Sequence, residues 1–192
     1  MRELALHLLD IAENSVSAKA DTVQIIVEED QAEDRLRMCV IDNGQGMDAD
    51  MVKRVTDPFV TSRTTRKVGL GIPLLKAAAE ACNGGLTIQS TPGQGTRVTV
   101  EFQESHIDRM PLGDLADTIL TLVVGSPEVH WIFRYTVNGQ TFEFDNWPIQ
   151  EALDGISLTD PVVLNYLRET LETGIAEVNQ NLRPIKLAGF PA

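Results

Sequence analysis

The stretch Leu36-Arg37-Met38-Cys39-Val40-Ile41-Asp42-Asn43-Gly44-Gln45-Gly46-Met47 decides the fold. Leu36, Met38 and Val40 recur every second residue, the period of a strand with one buried face, and the run stops at Asp42. Gly44 and Gly46 follow at once, and a backbone without Cβ atoms can approach a flat ligand closely. A carboxylate at that strand end can accept from an exocyclic amine. A tight turn of Asp, Asn and Gly accounts for the same residues without any ligand. The hexapeptide from Asp42 leaves both readings open.

Working upstream, Val23, Ile25 and Val27 alternate in the same way, and an acidic turn from Glu29 to Asp34 joins the two runs into a hairpin. Ahead of it Leu4, Leu8, Ile11, Ala12 and Ser15 recur at spacings of three and four, which predicts an amphipathic helix with its apolar stripe on a sheet. Downstream, Ala49 to Val55 reads as a short helix closed by Asp57-Pro58. Val60 to Val68, rich in Thr, Ser and Arg, has no apolar period and reads as a mobile loop. Gly69-Leu70-Gly71 then opens a helix from Ile72 to Ala81, with Pro73 in the first turn where its missing N–H costs nothing, and Asn83-Gly84-Gly85 ends it. Runs at 86–89 and 98–102 flank Thr91-Pro92-Gly93-Gln94-Gly95 as a further hairpin.

Composition shifts after Glu104, and a boundary is expected there: residues 1–104 as one domain, 105–192 as a small α+β module of unknown role. In that module Leu112, Leu115, Ile119, Leu122 and Val123 predict a helix. Asn138-Gly139 between two strand-like runs is a strong hairpin signal, and Val163, Leu167, Leu171 and Ile175 predict a last helix.

The chain of 192 residues carries a formal charge of −12, a balance that repels nucleic-acid phosphates and anionic lipid, so neither partner is expected. It has no run of 18 apolar residues, and Glu3 and Asp10 interrupt the start too early for a signal peptide. A cytoplasmic protein, with Cys39 and Cys82 as reduced structural thiols, is the expectation. His7, His106 and His130 form no metal-ligand pattern and read as structural.

Several modest features stand in a telling order. Asp10 and Asn14, four apart, share one face of the first helix, where a carboxylate and an amide can hold a metal and a water. Gly69 and Gly71 precede a helix whose unpaired N–H groups can meet phosphate oxygens. Thr61, Ser62, Arg63, Arg66 and Lys67 put hydroxyls and cations on the loop beside them, and Gly93-Gln94-Gly95-Thr96 puts a hydroxyl at the start of a strand.

The order D-x-x-x-N helix, strand, D-N-G-Q-G-M, basic loop, G-L-G helix and G-Q-G-T hairpin resembles the gyrase, Hsp90, histidine-kinase and MutL ATPase superfamily over residues 1–104. The resemblance implies a two-layer α/β sandwich of the Bergerat type, a mostly antiparallel sheet with helices on one face, binding ATP and Mg²⁺. It further implies that Asn14 coordinates Mg²⁺, Asp42 accepts from the adenine amino group, and Gly44, Gly46 and Met47 form the base pocket. Thr96 would support Asp42 and adenine through water. Gly69, Leu70 and Gly71 would cradle phosphates, and Thr61, Ser62, Arg63, Arg66 and Lys67 would form a lid.

One position departs from the family pattern. Hydrolysing members carry Glu four residues before the metal-binding Asn; here Asp10 is shorter by one methylene, roughly 1.5 Å of reach. A general base so displaced predicts slow hydrolysis. With six residues ahead of His7, no phospho-accepting helical hairpin is expected, and the transducer domain of a MutL clamp is not expected either. The resemblance therefore points to a kinase or slow ATPase like the serine kinases that control sigma factors, acting on an unknown protein partner, with a homodimer among the assemblies it allows. A non-catalytic ATP-dependent switch and a MutL-like dimerising ATPase are the alternatives.

Overall fold

The computed structural model describes residues 3–56 and 71–182. Its elements are α1 (Leu4–Ser17), β1 (Thr22–Asp30), β2 (Arg35–Asp42), α2 (Ala49–Thr56), α3 (Gly71–Ala81), β3 (Gly85–Thr91), β4 (Gly95–Gln103), α4 (Leu115–Gly125), β5 (His130–Val137), β6 (Gln140–Asp145), α5 (Asn146–Ala152) and α6 (Pro161–Asn179). The strands form one six-stranded sheet in the order β3-β4-β2-β1-β5-β6. β1 and β5 run parallel, and every other pairing is antiparallel.

The alternation read from the sequence sets which face is covered. Val23, Ile25 and Val27 of β1, Leu36, Met38 and Val40 of β2, Val98, Val100 and Phe102 of β4, and Trp131, Phe133 and Tyr135 of β5 are all buried. Helices α1, α3, α4 and α6 lie on that face and complete one core with it. The other face is polar: Arg37 pairs with Glu28 at 3.3 Å and with Glu101 at 3.7 Å. Cys39 is buried on this side near Arg97 and Thr99, and both cysteines are free thiols. The chain is thus the expected α+β sandwich with a mostly antiparallel sheet.

Residues 105–182 continue this sheet across the expected boundary. Helix α4 carries the chain back so that β5 lies parallel to β1, with Val23 opposite Trp131 and Val27 opposite Tyr135. Asn138 and Gly139 take φ of 48° and 86°, the left-handed pair that a tight hairpin turn requires, and β6 follows. The segment before α4 also caps α1: the N–H groups of Leu4 and Ala5 donate to Pro111 O and Leu112 O at 3.0 and 2.8 Å. Two of the orphan donors at that helix start are satisfied by backbone because Glu3 makes no side-chain cap. His7 is packed in the helix layer, and burial lowers its pKa against the opposing charge of Asp10.

A buried polar knot joins the two halves. Tyr135 Oη lies 2.5 Å from Glu29 Oε1 and 2.6 Å from Asn179 Oδ1 on α6. Burial pushes the phenol well above its ordinary range, helped by the charge of Glu29. Close by, Glu104 is 4% exposed and its Oε2 has no hydrogen-bond partner among the described residues. Burial first and the charge of Glu29 second raise its pKa, with Arg109 and Gln31 opposing. A raised carboxyl pKa means the folded chain holds its proton more tightly than the unfolded chain. That stability is complete in acid, below the unfolded value, and is lost as pH rises through the folded value. Glu104→Gln should therefore raise Tm at pH 8, by about 2–4 °C for each kcal/mol of relief, and leave it unchanged at pH 4. Thermal unfolding followed by circular dichroism at the two pH values checks this.

Candidate functional site

A cleft of about 580 Å³ opens between α1, the loop after β2, α2, the start of α3 and β4. Ile11, Met47, Met51, Val55, Ile72 and Val98 give it apolar walls, and Asn14, Ser15, Asp42 and Thr96 give it a polar end. Its size and its few convergent polar groups suit a drug-sized or nucleotide-sized ligand.

Asp42 is the most constrained of these groups. Its Oδ2 accepts from Ser15 Oγ at 2.8 Å, and its Oδ1 accepts from Gly44 N at 2.9 Å and Thr96 N at 3.2 Å. Helix α1, the glycine turn and β4 each supply one donor, so the carboxylate is held as an acceptor facing the cleft. The turn is pinned on both sides: Gln45 N donates to Ala18 O at 2.9 Å, and Gly93 N donates to Gln45 O at 2.8 Å. Asn43 points away from the cleft, its Oδ1 accepting from Asp21 N and Thr22 N at 3.1 and 3.0 Å.

Two glycines are required by close approach. Gly46 has φ +65°, and a Cβ there would run into Thr91 O; Gly95 has φ +102°, and a Cβ would run into Asp42 O. These positions let the turn after β2 press on the β3–β4 turn without a side chain between them.

Of the residues expected from the sequence, Asn14, Asp42, Gly46, Met47 and Thr96 line the cleft together. Gly44 lies behind Asp42, against Ala18. Asp10 and Gly71 meet each other: a Cβ on Gly71 would lie 2.9 Å from Asp10 Oδ2, so the Asp10 carboxylate sits at the start of α3. Thr61, Ser62, Arg63, Arg66, Lys67, Gly69 and Leu70 lie outside the described residues.

Two serines were not singled out by sequence. Ser15 reads as part of the apolar stripe of α1, and its only signal is a hydroxyl at a buried stripe position. Ser90 gives no signal at all, because its partner Thr96 is fixed by the β3–β4 register. Ser90 Oγ accepts from Met47 N at 2.7 Å and lies 3.0 Å from Gly95 O and 2.9 Å from Thr96 Oγ1.

Comparison with known proteins agrees with this geometry. The family model described as histidine kinase-, DNA gyrase B-, and HSP90-like ATPase matches residues 1–106. The chain belongs to that family, and this part of it is an ATP-binding domain of that kind. Among its relatives, the sensor protein kinase FleS of Pseudomonas aeruginosa is 39% identical over 93 residues, 48% of this chain and 23% of that one. Sensor histidine kinase YxdK of Bacillus subtilis is 34% identical over 90 residues, 45% of this chain and 27% of that one. The two relatives share with this chain only a part of their own lengths. Among solved structures, the N-terminal domain of a DNA repair protein superposes on 74% of this chain and 52% of its own with a TM-score of 0.52 at 12% identity, a likeness of fold alone.

The strain argument is testable without any ligand. Gly46→Ala places a methyl on Thr91 O at a positive φ, and should cost about 2 kcal/mol or more. Urea denaturation of the two proteins checks it, with Gly139→Ala, where a Cβ would meet nothing within 4 Å, as the control for positive φ without a clash.

Proposed function

We propose that the cleft binds Mg-ATP and that the protein is a cytoplasmic kinase or slow ATPase resembling the serine kinases that control sigma factors. The observation that carries the ATP reading is the Asp42 carboxylate, fixed as an acceptor by donors from α1, the glycine turn and β4 at the polar end of an apolar slot. A purine with an exocyclic amine fits such a slot: its faces meet Met47, Met51, Ile72 and Val98, and its amine meets Asp42.

Asn14, also on the cleft wall, is the residue to hold Mg²⁺. A bound Mg²⁺ would offset phosphate charge and orient the terminal phosphate. Arg63, Arg66 and Lys67, with Thr61 and Ser62, are proposed as lid residues toward the phosphates, and Gly69, Leu70 and Gly71 as their cradle. Asp10 is the candidate base. In this reading residues 1–104 are the nucleotide unit, and 105–192 recognise a protein partner or a second copy of the chain.

A second reading, a switch that binds ATP without turning it over, is favoured by one observation. The carboxylate of Asp10 is both short and placed against Gly71, at the start of α3. Its proximity to that helix end gives it a structural use apart from catalysis.

Single-turnover incubation of γ-labelled ATP with Mg²⁺ and excess protein separates these readings. Release of free phosphate, abolished in Asp10→Asn, is the outcome expected for the ATPase. ATP retained intact until an added protein partner takes up its γ-label, leaving ADP, identifies the kinase, and ATP that stays intact with the partner unlabelled identifies the switch. Loss of ATP retention by the unmodified protein removes the ATP reading altogether. Asp42→Asn swaps one acceptor for an amide that can also donate, and should weaken ATP binding by about 100-fold, measured by calorimetry, with the far-UV spectrum unchanged.

A further inference from the structure

Ser90 has one proton and three partners. Its oxygen accepts from Met47 N at 2.7 Å, so its own proton goes either to Gly95 O at 3.0 Å or to Thr96 Oγ1 at 2.9 Å. If Ser90 donates to Gly95 O, the Thr96 hydroxyl donates to Ser90, and every contact at Ser90 is a hydrogen bond. If Ser90 donates to Thr96, the contact with Gly95 O is left without a proton. Partly buried polar groups settle on the arrangement that satisfies the most partners.

We infer that Ser90, which lies behind the cleft, fixes the direction of the Thr96 hydroxyl and thereby leaves the Asp42–Thr96 side of the site with acceptors only. With its proton committed to Ser90, Thr96 Oγ1 turns lone pairs toward the cleft. Asp42 beside it is already an acceptor whose donors all come from the protein. A ligand edge there must bring N–H or water O–H groups, and a carbonyl oxygen meets lone pairs on both neighbours. Ser90 is in this sense a specificity residue that never touches the ligand. At the C6 position it favours an amine over an oxo group.

This wiring depends on chain geometry that is specific to the fold. Ser90 and Thr96 are cross-strand partners on β3 and β4, and the hydroxyls meet on one face only because of that register. Met47 reaches Ser90 because Gly46 carries no Cβ against Thr91 O. The same serine thus ties the glycine turn after β2 to the hairpin that carries Thr96. Losing it would loosen the turn for every ligand alike, whereas losing the fixed proton direction changes the preference between ligands. The two effects separate in a ratio of affinities.

The inference rests on the reading of the cleft as a purine nucleotide site, and the test keeps the two apart. Calorimetry with ATP and with ITP, which carries an oxo group where ATP has an amine, should show the unmodified chain preferring ATP. In Ser90→Ala the Thr96 proton is released, Thr96 can donate to the oxo group, and the preference should narrow by roughly tenfold. Ser90→Thr, which keeps a hydroxyl, should preserve the preference, and Ser90→Ala with Thr96→Val should restore it. An unchanged ratio in Ser90→Ala, a narrowing in Ser90→Thr, or a narrowing that survives the loss of the Thr96 hydroxyl overturns the inference. If the unmodified chain holds neither nucleotide, the purine reading itself fails. Neutron diffraction of deuterium-exchanged crystals tests the wiring without any ligand: deuterium on the Ser90–Gly95 and Thr96–Ser90 lines supports it, and deuterium on the Ser90–Thr96 line overturns it.

Discussion

The carboxylate of Asp42 is the constraint on which the site depends. It stands at the end of β2, where the strand leaves the core, and it is satisfied by a hydroxyl from α1 and by backbone N–H groups from the glycine turn and β4. A charge in a partly buried position is tolerated only when its lone pairs are occupied. Satisfying it ties three elements together at the polar end of the cleft, and α2 and the start of α3 add the remaining walls. The polar end of the site is therefore organised around one hydrogen-bonded strand-end carboxylate. Any ligand group that meets Asp42 meets an acceptor already fixed in direction, which is the condition for selective recognition.

The glycines serve this constraint. Gly46 and Gly95 are sites of backbone-to-backbone contact, where a Cβ would strike a carbonyl of the neighbouring turn. Ser90 then fills the gap with a hydroxyl that binds the turn and the hairpin at once. Around Asp42 the polar end of the cleft is held by backbone N–H groups and short hydroxyls from α1, the glycine turn and β4, and this keeps its geometry stiff. Its walls are apolar side chains from α1, the turn after β2, α2, α3 and β4, of which Met47 and Met51 are the most adaptable.

The C-terminal half adds to the same sheet. β5 pairs with β1, and the knot of Tyr135, Glu29 and Asn179 fastens α6 over it. The composition changes near residue 105, yet the backbone carbonyls of Pro111 and Leu112 cap α1, the helix that carries Asn14 and Ser15. The nucleotide unit and the extension therefore share a core, and a contact made on the extension is made on the body that positions the cleft. FleS and YxdK are sensor kinases, and they align with 48% and 45% of this chain.

Local patterning was legible in the sequence. The period of α1, the alternation of β1, β2 and β4, the Asn-Gly hairpin and the glycines that flank Asp42 all follow from side-chain spacing and backbone freedom, which act over a few residues. The order of the motifs carried the family. The tertiary structure alone decided the rest. It set β5 parallel to β1, put Asp10 against Gly71, and brought Ser15 and Ser90 to Asp42 and Thr96, residues 27 and 6 positions away in the chain. A serine carries no periodic signal of its own; its role depends on which polar atom the register places opposite it. Register and pairing are fixed by burial summed over the whole sheet, so no short stretch of sequence contains them.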